Sequence, residues 1–148
     1  MKKDIKLVFE DSKILDVFRG TTVREVLREL GDEQIIALRV NGDAVDSDYE
    51  LLEDSYINYI TIHDRIGQKI YTKGLEYVYI KAVKELFGGK ASVRVKHSID
   101  KALYTEIDMK AQLTESDVNN IKKKMKEICA RDYKFKPISV SRSDAYEY

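Results

Sequence analysis

The first sixty residues alternate between short apolar runs and one amphipathic stretch. Four runs are rich in β-branched and aromatic residues, as strands are. These runs are IKLVF (5–9), KILDVF (13–18), IIALRV (35–40) and YINYITI (56–62). Between the second and third runs, residues 23–30 place apolar side chains at i, i+3, i+4 and i+7, which predicts a helix. The predicted order is β-β-α-β-β with one further strand.

Local signals mark where these elements begin, end and turn. Thr22 and Glu25 have the spacing of a capping box at the start of the helix. Gly31 stands where a helix commonly ends in a left-handed residue. Asn41-Gly42 predicts a tight hairpin, because both residues tolerate positive φ. A small mixed sheet packed on one helix is a β-grasp, which we predict for residues 1–63.

The second half of the chain carries a different set of elements. Residues 75–87 have an apolar stripe at helical spacing, and Gly88-Gly89 should end that helix. The segments 91–97 and 102–109 alternate as paired strands do. Residues 97–101 (HSIDK) are therefore predicted to connect two antiparallel strands.

Another helix and another strand are predicted further along. Thr114 and Asp117 form a weaker capping box. The apolar stripe of this helix consists of Val118, Ile121, Met125 and Ile128. Residues 136–141 read as a strand, and Ser143 resembles the cap of a helix with only a turn or two of sequence left, so we expect a piece of a longer protein. We thus predict an α+β fold, in which residues 64–148 form a second α+β sub-domain with an antiparallel sheet and two helices, truncated at its C-terminus.

The N-terminal half resembles a TGS domain, a ubiquitin-like β-grasp module. TGS domains occur in threonyl-tRNA synthetases, some GTPases and stringent-response synthetases. The resemblance covers residues 4–62 and rests on Val40-Asn41-Gly42 and Leu51-Leu52-Glu53-Asp54. It implies a small regulatory or RNA/nucleotide-associated module without catalysis.

The second half resembles the domain that follows TGS in threonyl-tRNA synthetases. The stretch TKGLEYVYIKAVKELF (72–87) aligns without a gap on the family's R-H-S-x-A-H-L-L-x-x-A-V-K-x-L-F helix, which helps to build the site that hydrolyses mischarged tRNA. The two family histidines fall on Lys73 and Tyr77, and the serine falls on Gly74. Side chains with reference pKa values of about 10 do not replace neutral imidazoles, so we expect the editing chemistry to be lost.

A third resemblance is to bacterial kinases of the uridine kinase/phosphoribulokinase type. They carry the same TGS-plus-synthetase-like region ahead of a P-loop kinase domain, with tyrosines where the synthetase has histidines, as in YVYIKAVKELFGG (77–89). This implies a non-catalytic, ligand-binding N-terminal fragment of an ATP-dependent uridine or nucleoside kinase. ATP and Mg²⁺ would then belong to the missing C-terminal kinase domain, which would be the partner of this fragment. The alternative is a degenerate synthetase-type editing or RNA-binding module.

Charge is distributed unevenly although the chain is neutral overall. Residues 1–64 hold 8 Lys/Arg and 15 Asp/Glu, whereas residues 65–148 hold 18 Lys/Arg and 11 Asp/Glu. This asymmetry indicates two units, and the second presents either a solvated surface or a face for an anionic ligand. With one cysteine, no signal-peptide pattern and no apolar run of about 20 residues, we expect a cytoplasmic location and no membrane partner.

Two kinds of site are poorly matched by the sequence. Gly89-Lys90 invites comparison with a P-loop, but Lys84 stands where the first glycine belongs and Ala91 where a hydroxyl belongs, so we predict a helix end and no cofactor in this chain. A structural zinc site needs four ligands, whereas His63, His97 and Cys129 lie in distant segments. We expect no metal and a core position for Cys129.

The segment His97–Asp100 has two interpretations. It is either a turn in which polar side chains bond the local backbone, or part of a small anion or nucleotide pocket. The pocket would combine His97 and Lys101 with Lys73 and Tyr77 from the preceding helix. Adjacent residues on one turn seldom converge on one atom, so no catalytic residue is assigned.

The lysine run at residues 122–124 also has two interpretations. Lys122, Lys123 and Lys124 form either a solvated helix face or, in the alternative function, an RNA-binding patch. A nucleic-acid surface typically interleaves arginines and aromatic side chains with its lysines, and the run itself lacks them.

Overall fold

The computed structural model describes residues 4–99, 102–136 and 138–144, without the side chains of residues 97–99. The fold is α+β, as predicted. The chain forms two compact units, Met1–Leu75 and Glu76–Tyr148, and the division between them falls within one long helix.

The N-terminal unit is a mixed sheet with one short helix. In chain order its elements are β1 (Ile5–Phe9), β2 (Ile14–Val17), β3 (Thr21–Thr22), α1 (Val23–Leu30), β4 (Ile35–Val40), β5 (Asp43–Ala44), β6 (Glu50–Leu51), β7 (Ser55–Thr61) and the first part of α2 (Arg65–Phe87). Five strands form a sheet in the order β2-β1-β7-β4-β5, and β3 pairs with β6. Only the β1–β7 pair of the described strands is parallel, which is consistent with a β-grasp.

Alternation along the strands builds the core of this unit. In β1 every second residue is buried. Leu7 and Phe9 belong to one apolar cluster with Val26 of α1, Ile57 of β7 and Leu38 of β4. The outward residues Lys6 and Val8 of β1 remain exposed, whereas Ile60, on the outward side of β7, is buried outside this cluster. One face of the sheet therefore carries the core, and the other is open at β1 and β2 and covered near the end of β7.

The predicted local signals of this unit are confirmed. Thr22 accepts a bond from the backbone N–H of Glu25, whose carboxylate accepts one from the Thr22 backbone N–H at 2.7 Å. Gly31 has φ 66° and ends α1. Asn41 and Gly42 both have positive φ and join β4 to β5. β5 is the second strand of the predicted hairpin. The short strands β3 and β6 were not predicted, because two residues are too few for a period to appear.

The C-terminal unit packs a hairpin and two helices. It contains the second part of α2, a 3₁₀ turn (Gly88–Lys90), β8 (Ala91–Ile99), β9 (Ala102–Met109) and α3 (Glu115–Ala130). β8 and β9 are antiparallel, as predicted. The core of this unit is small and holds Ala82 and Val83 of α2 with Ile121 and Ile128 of α3.

Three predictions for this unit are wrong. Residues 97–99 belong to β8 and pair with β9, so the connection is shorter than HSIDK, because strand pairing satisfies their backbone groups. Val118 is exposed on the first turn of α3 rather than part of its buried stripe. Lys136 and residues 138–141 form no strand. The helix predicted after Ser143 lies mostly outside the described residues.

The cap of α3 should make the C-terminal unit sensitive to acid. Asp117 accepts bonds from the Thr114 hydroxyl at 2.6 Å and from its backbone N–H at 2.9 Å, and these lower the pKa of Asp117 below its ordinary 3.8. A depressed pKa stabilises the folded state above pH 3.8, and this stabilisation is lost as the pH falls further. We expect Asp117→Asn to lower the melting midpoint near neutral pH and to remove part of its decline in acid. Melting can be followed by circular dichroism. If the melting midpoint of Asp117→Asn fell in acid as much as that of the unchanged protein, the cap would not have this role.

Candidate functional site

The C-terminal unit contains an open cavity of about 670 Å³ beside the exposed side of α2. We call it the aromatic groove. The lining residues come from α2, from the end of α3 and from the segment that follows α3. They are Tyr77, Val78, Ile80, Lys81, Lys84, Ile128, Cys129, Asp132, Tyr133, Lys134 and Phe135.

A left-handed residue directs the chain back along the groove. Asp132 has φ 47° and donates its backbone N–H to the Cys129 carbonyl at 3.1 Å, so α3 ends in a tight turn. Aspartate enters this region more readily than most residues. The turn positions Tyr133 and Phe135 to line the groove with Tyr77.

Three aromatic side chains in the groove are exposed rather than buried. Tyr77 is 61% exposed, and its ring lies 5.7 Å from that of Phe135 in a tilted arrangement. Tyr133 is exposed as well, and Lys81 Nζ lies 5.1 Å from its ring centre. The Tyr133 hydroxyl accepts a hydrogen bond from Arg131 Nη1 at 2.9 Å. These contacts orient the rings while leaving aromatic surface open to a ligand.

Cations accompany the aromatic rings. Lys81 Nζ is 2.8 Å from Glu85 Oε1, and this hydrogen bond raises the pKa of Lys81 and lowers that of Glu85. Lys81 is thus a firmly charged group beside the rings. Lys84 and Lys134 also line the groove. The arrangement suits a ligand with flat apolar parts and negative charge.

The predicted pocket residues are only partly accounted for. Tyr77 lies in the aromatic groove and is open to solvent rather than part of the core. Lys73 is exposed on the part of α2 that belongs to the N-terminal unit. His97 lies in β8, where its backbone pairs with Tyr104, but its side chain and Lys101 lie outside the described residues. A joint pocket of Lys73, Tyr77, His97 and Lys101 remains a prediction.

The lysine run extends around α3, and its role in RNA binding remains a prediction. Lys122 and Lys123 are exposed on α3, whereas Lys124 is partly buried and bonds Glu127 at 2.8 Å. Successive helical residues point about 100° apart, so the three ammonium groups diverge. None of them lines the aromatic groove.

Three further features concern the Gly88–Lys90 segment, clusters of metal ligands and long apolar helices. Gly88–Lys90 forms a 3₁₀ turn between α2 and a strand, which confirms the predicted helix end. Among the described residues, no three histidine, cysteine or acidic side chains converge on a potential metal position. Within the same part of the chain, no helix has the length and apolar character needed to cross a bilayer.

Cys129 is not a core residue, contrary to the prediction. Its neighbour Ile128 is buried, but Cys129 is exposed and lines the groove. The error arises because the buried stripe of α3 is narrow, and the next residue along a helix points about 100° away from it.

Cys129 should therefore react in the native protein. We expect a thiol reagent such as Ellman's reagent to modify it without denaturant, at a rate close to that of the urea-unfolded chain, because the side chain is accessible. As the chain has one cysteine, the colour yield reports this position alone. Modification that required urea would contradict the exposed position.

The sequence contains two signals of the groove. Tyr77, Lys81 and Lys84 are spaced i, i+4 and i+7, which places them on one face of α2. The segment RDYKFK (131–136) alternates basic and aromatic residues. Neither signal reveals that the two segments meet.

Comparison with known proteins places these features in context. The chain is 30% identical to the threonine–tRNA ligase of Desulforamulus reducens over 97% of its own length. It is 29% identical to that of Oceanobacillus iheyensis and 28% identical to that of Thermotoga maritima, each over 97% of its length. The chain spans only 23% of the length of each relative, and no protein-family model matches it.

These matches decide between the resemblances noted in the sequence. They support the similarity to the N-terminal region of threonyl-tRNA synthetases across nearly the whole chain. They lend no support to the uridine kinase resemblance, which remains a prediction. The chain is therefore similar to the N-terminal region of threonyl-tRNA synthetases.

Proposed function

We propose that this chain is an RNA-binding module of the threonyl-tRNA synthetase type, without editing catalysis, and that unpaired nucleotides bind in its aromatic groove. The observation that carries the proposal is the combination of exposed aromatic rings with cations in one groove. Proteins that bind single strands use the same combination, because every base stacks on an aromatic ring and every phosphate attracts a cation. The similarity to tRNA ligases supports RNA as the ligand class.

The distribution of charge supports an anionic ligand. Residues 65–148 carry seven more Lys/Arg than Asp/Glu, although the whole chain is neutral. Lys81, Lys84 and Lys134 bring part of this charge to the groove. A phosphate backbone that follows these lysines would release counterions, so binding should weaken as salt rises.

The residues at two α2 positions support the expectation that editing chemistry is lost. Lys73 and Tyr77 stand at the positions of the two family histidines. Neither side chain carries a neutral imidazole, whose pKa near 6.5 suits proton transfer at neutral pH. Tyr77 instead offers a ring for stacking.

A labelled single-stranded RNA of about 12 nucleotides tests the proposal by fluorescence anisotropy. We expect tighter binding than to the matched duplex, and a loss of about tenfold or more in Tyr77→Ala, since base stacking contributes about 1–3 kcal/mol. The control is Tyr71→Ala, which removes a 49% exposed tyrosine from the same helix, outside the groove. Lys84→Ala should reduce the slope of log K against log salt by about 0.7.

Two further measurements make the test decisive. RNA bound in the groove should protect Cys129 from Ellman's reagent, because the thiol lies in the lining. Equal binding by Tyr77→Ala and Tyr71→Ala, or equal affinity for single strand and duplex, would refute the proposed site.

The second candidate is the regulatory N-terminal part of a uridine kinase-like protein. The observation in its favour is the exposed Tyr77, since tyrosines replace the synthetase histidines in the kinase-type sequences that this chain resembles. In that case free uridine nucleotides at millimolar concentration should displace the RNA oligonucleotide and protect Cys129. ATP and Mg²⁺ would act only in a further kinase domain, so incubation of this chain with ATP and uridine should transfer no phosphate.

A further inference from the structure

The solvent face of the five-stranded sheet carries an apolar row across three strands. Val8 lies directly opposite Ile14 in the antiparallel β1–β2 pair and opposite Tyr56 in the parallel β1–β7 pair. All three side chains are exposed, although their strand neighbours fill the core. We call Ile14, Val8 and Tyr56 the sheet face. Opposed side chains on adjacent strands lie about 5 Å apart, so the row is continuous.

Carboxylates accompany each member of this row. Asp16, Glu10 and Asp54 each lie two residues from one apolar member along the chain, and all three are exposed. Asp54 Oδ1 accepts the Lys6 backbone N–H at 2.7 Å, which holds it beside the row. Two cations share this face, Lys6 opposite Asp16 and Arg39 opposite Asn58, which lies two residues from Tyr56 on β7. The sheet face is therefore an apolar row with a mainly acidic border.

The aromatic groove has the complementary character. Tyr77 and Phe135 expose apolar rings in a groove whose lining has three lysines, one of them paired with Glu85, and one carboxylate, Asp132. The lysines are Lys81, Lys84 and Lys134. The same complementarity holds for whole segments, since residues 1–64 have seven more acidic than basic residues and residues 65–148 have the reverse. A chain with no net charge lacks the long-range repulsion that keeps copies apart.

We propose that two copies of this chain associate head to tail, with the sheet face of one copy docked on the aromatic groove of the other. The contact is heterologous, so each copy retains one unused sheet face or groove and further copies can add. Because the sheet face consists of three side chains, the contact is small and weak. Its specificity then depends on charge attraction. The proposal does not depend on RNA binding, but RNA in the groove would compete with it.

Sedimentation analysis without RNA tests the association. Between about 10 µM and 1 mM, at low salt, we expect the average mass to rise above 17.2 kDa with concentration. It should return to 17.2 kDa in about 0.5 M sodium chloride, where charges are screened within about 4 Å. Tyr56→Lys should remove the association, whereas Tyr49→Lys should keep it, because both tyrosines are 46% exposed and only Tyr56 belongs to the sheet face.

Mixing two variants identifies the partner surface. Tyr56→Lys retains the groove, and Phe135→Glu retains the sheet face, so each variant alone should stay monomeric. Their equimolar mixture should form a 1:1 dimer. Circular dichroism must show both variants folded, and Tyr56→Lys should bind RNA as the unchanged protein does, which separates this proposal from the proposed function.

Three results would overturn the proposal. The first is an unchanged protein that stays monomeric at 1 mM and low salt. The second is association of Phe135→Glu as strong as that of the unchanged chain, which would indicate pairing between two sheet faces. The third is a mixture of the two variants that forms no dimer although the unchanged protein associates.

Discussion

Replacing Gly67 by alanine should lower the free energy of unfolding of the N-terminal unit by about 3 kcal/mol. Gly67 lies in the first turn of α2, where an added Cβ would collide with the Thr61 carbonyl oxygen and touch Ile36. Thr61 cannot easily move, because Asp64 accepts its backbone N–H at 2.6 Å and its hydroxyl at 2.9 Å. The helix or the strand end must therefore shift. Urea unfolding followed by circular dichroism measures the loss.

Gly74 of the same helix provides a control, because alanine there should raise the free energy of unfolding instead of lowering it. A Cβ on Gly74 would meet no atom within 4 Å. Gly74→Ala should therefore stabilise the chain by roughly 0.5–1 kcal/mol, because alanine favours the helix and restricts the unfolded chain. If Gly67→Ala matched Gly74→Ala, the close approach of α2 to Thr61 would not exist in solution.

Leu38→Ala should cost the N-terminal unit about 3–4 kcal/mol. Leu38 is completely buried in β4 and belongs to the same apolar cluster as Leu7 and Ile57. Its removal leaves a cavity among β strands, which collapse poorly because their backbones are tied by hydrogen bonds. Leu52→Ala, at a 51% exposed position, should change stability by no more than about 0.5 kcal/mol. Similar losses in both variants, measured by urea unfolding, would contradict the assigned core.

Short-range signals in the sequence predicted the local structure well. The capping boxes at Thr22 and Thr114, the helix end at Gly31 and the Asn41-Gly42 turn all involve groups within a few residues of one another. Their energies depend little on the rest of the molecule, so the sequence alone specifies them.

The pairing of strands that lie far apart in the sequence was harder to predict. The parallel contact of β1 with β7 joins Leu7 to Ser55 across nearly fifty residues. The order of elements predicted a mixed sheet but not which strands form this pair. The extension of β8 through Ile99 was missed for a related reason, since the partner strand decides how far a strand continues. The exposure of Val118 and Cys129 shows that an apolar residue near a stripe need not reach the core.

The sequence by itself determined the order of the main helices and strands, several of their caps and turns, and the opposite charges of the two halves. Only the tertiary structure decided that Tyr77 and Lys81 share a groove with Tyr133 and Phe135. That meeting depends on the left-handed turn at Asp132 and on the packing of α2 against α3. The spacing of apolar side chains shows which face of one element is apolar. Whether that face is buried or exposed depends on which other element packs against it.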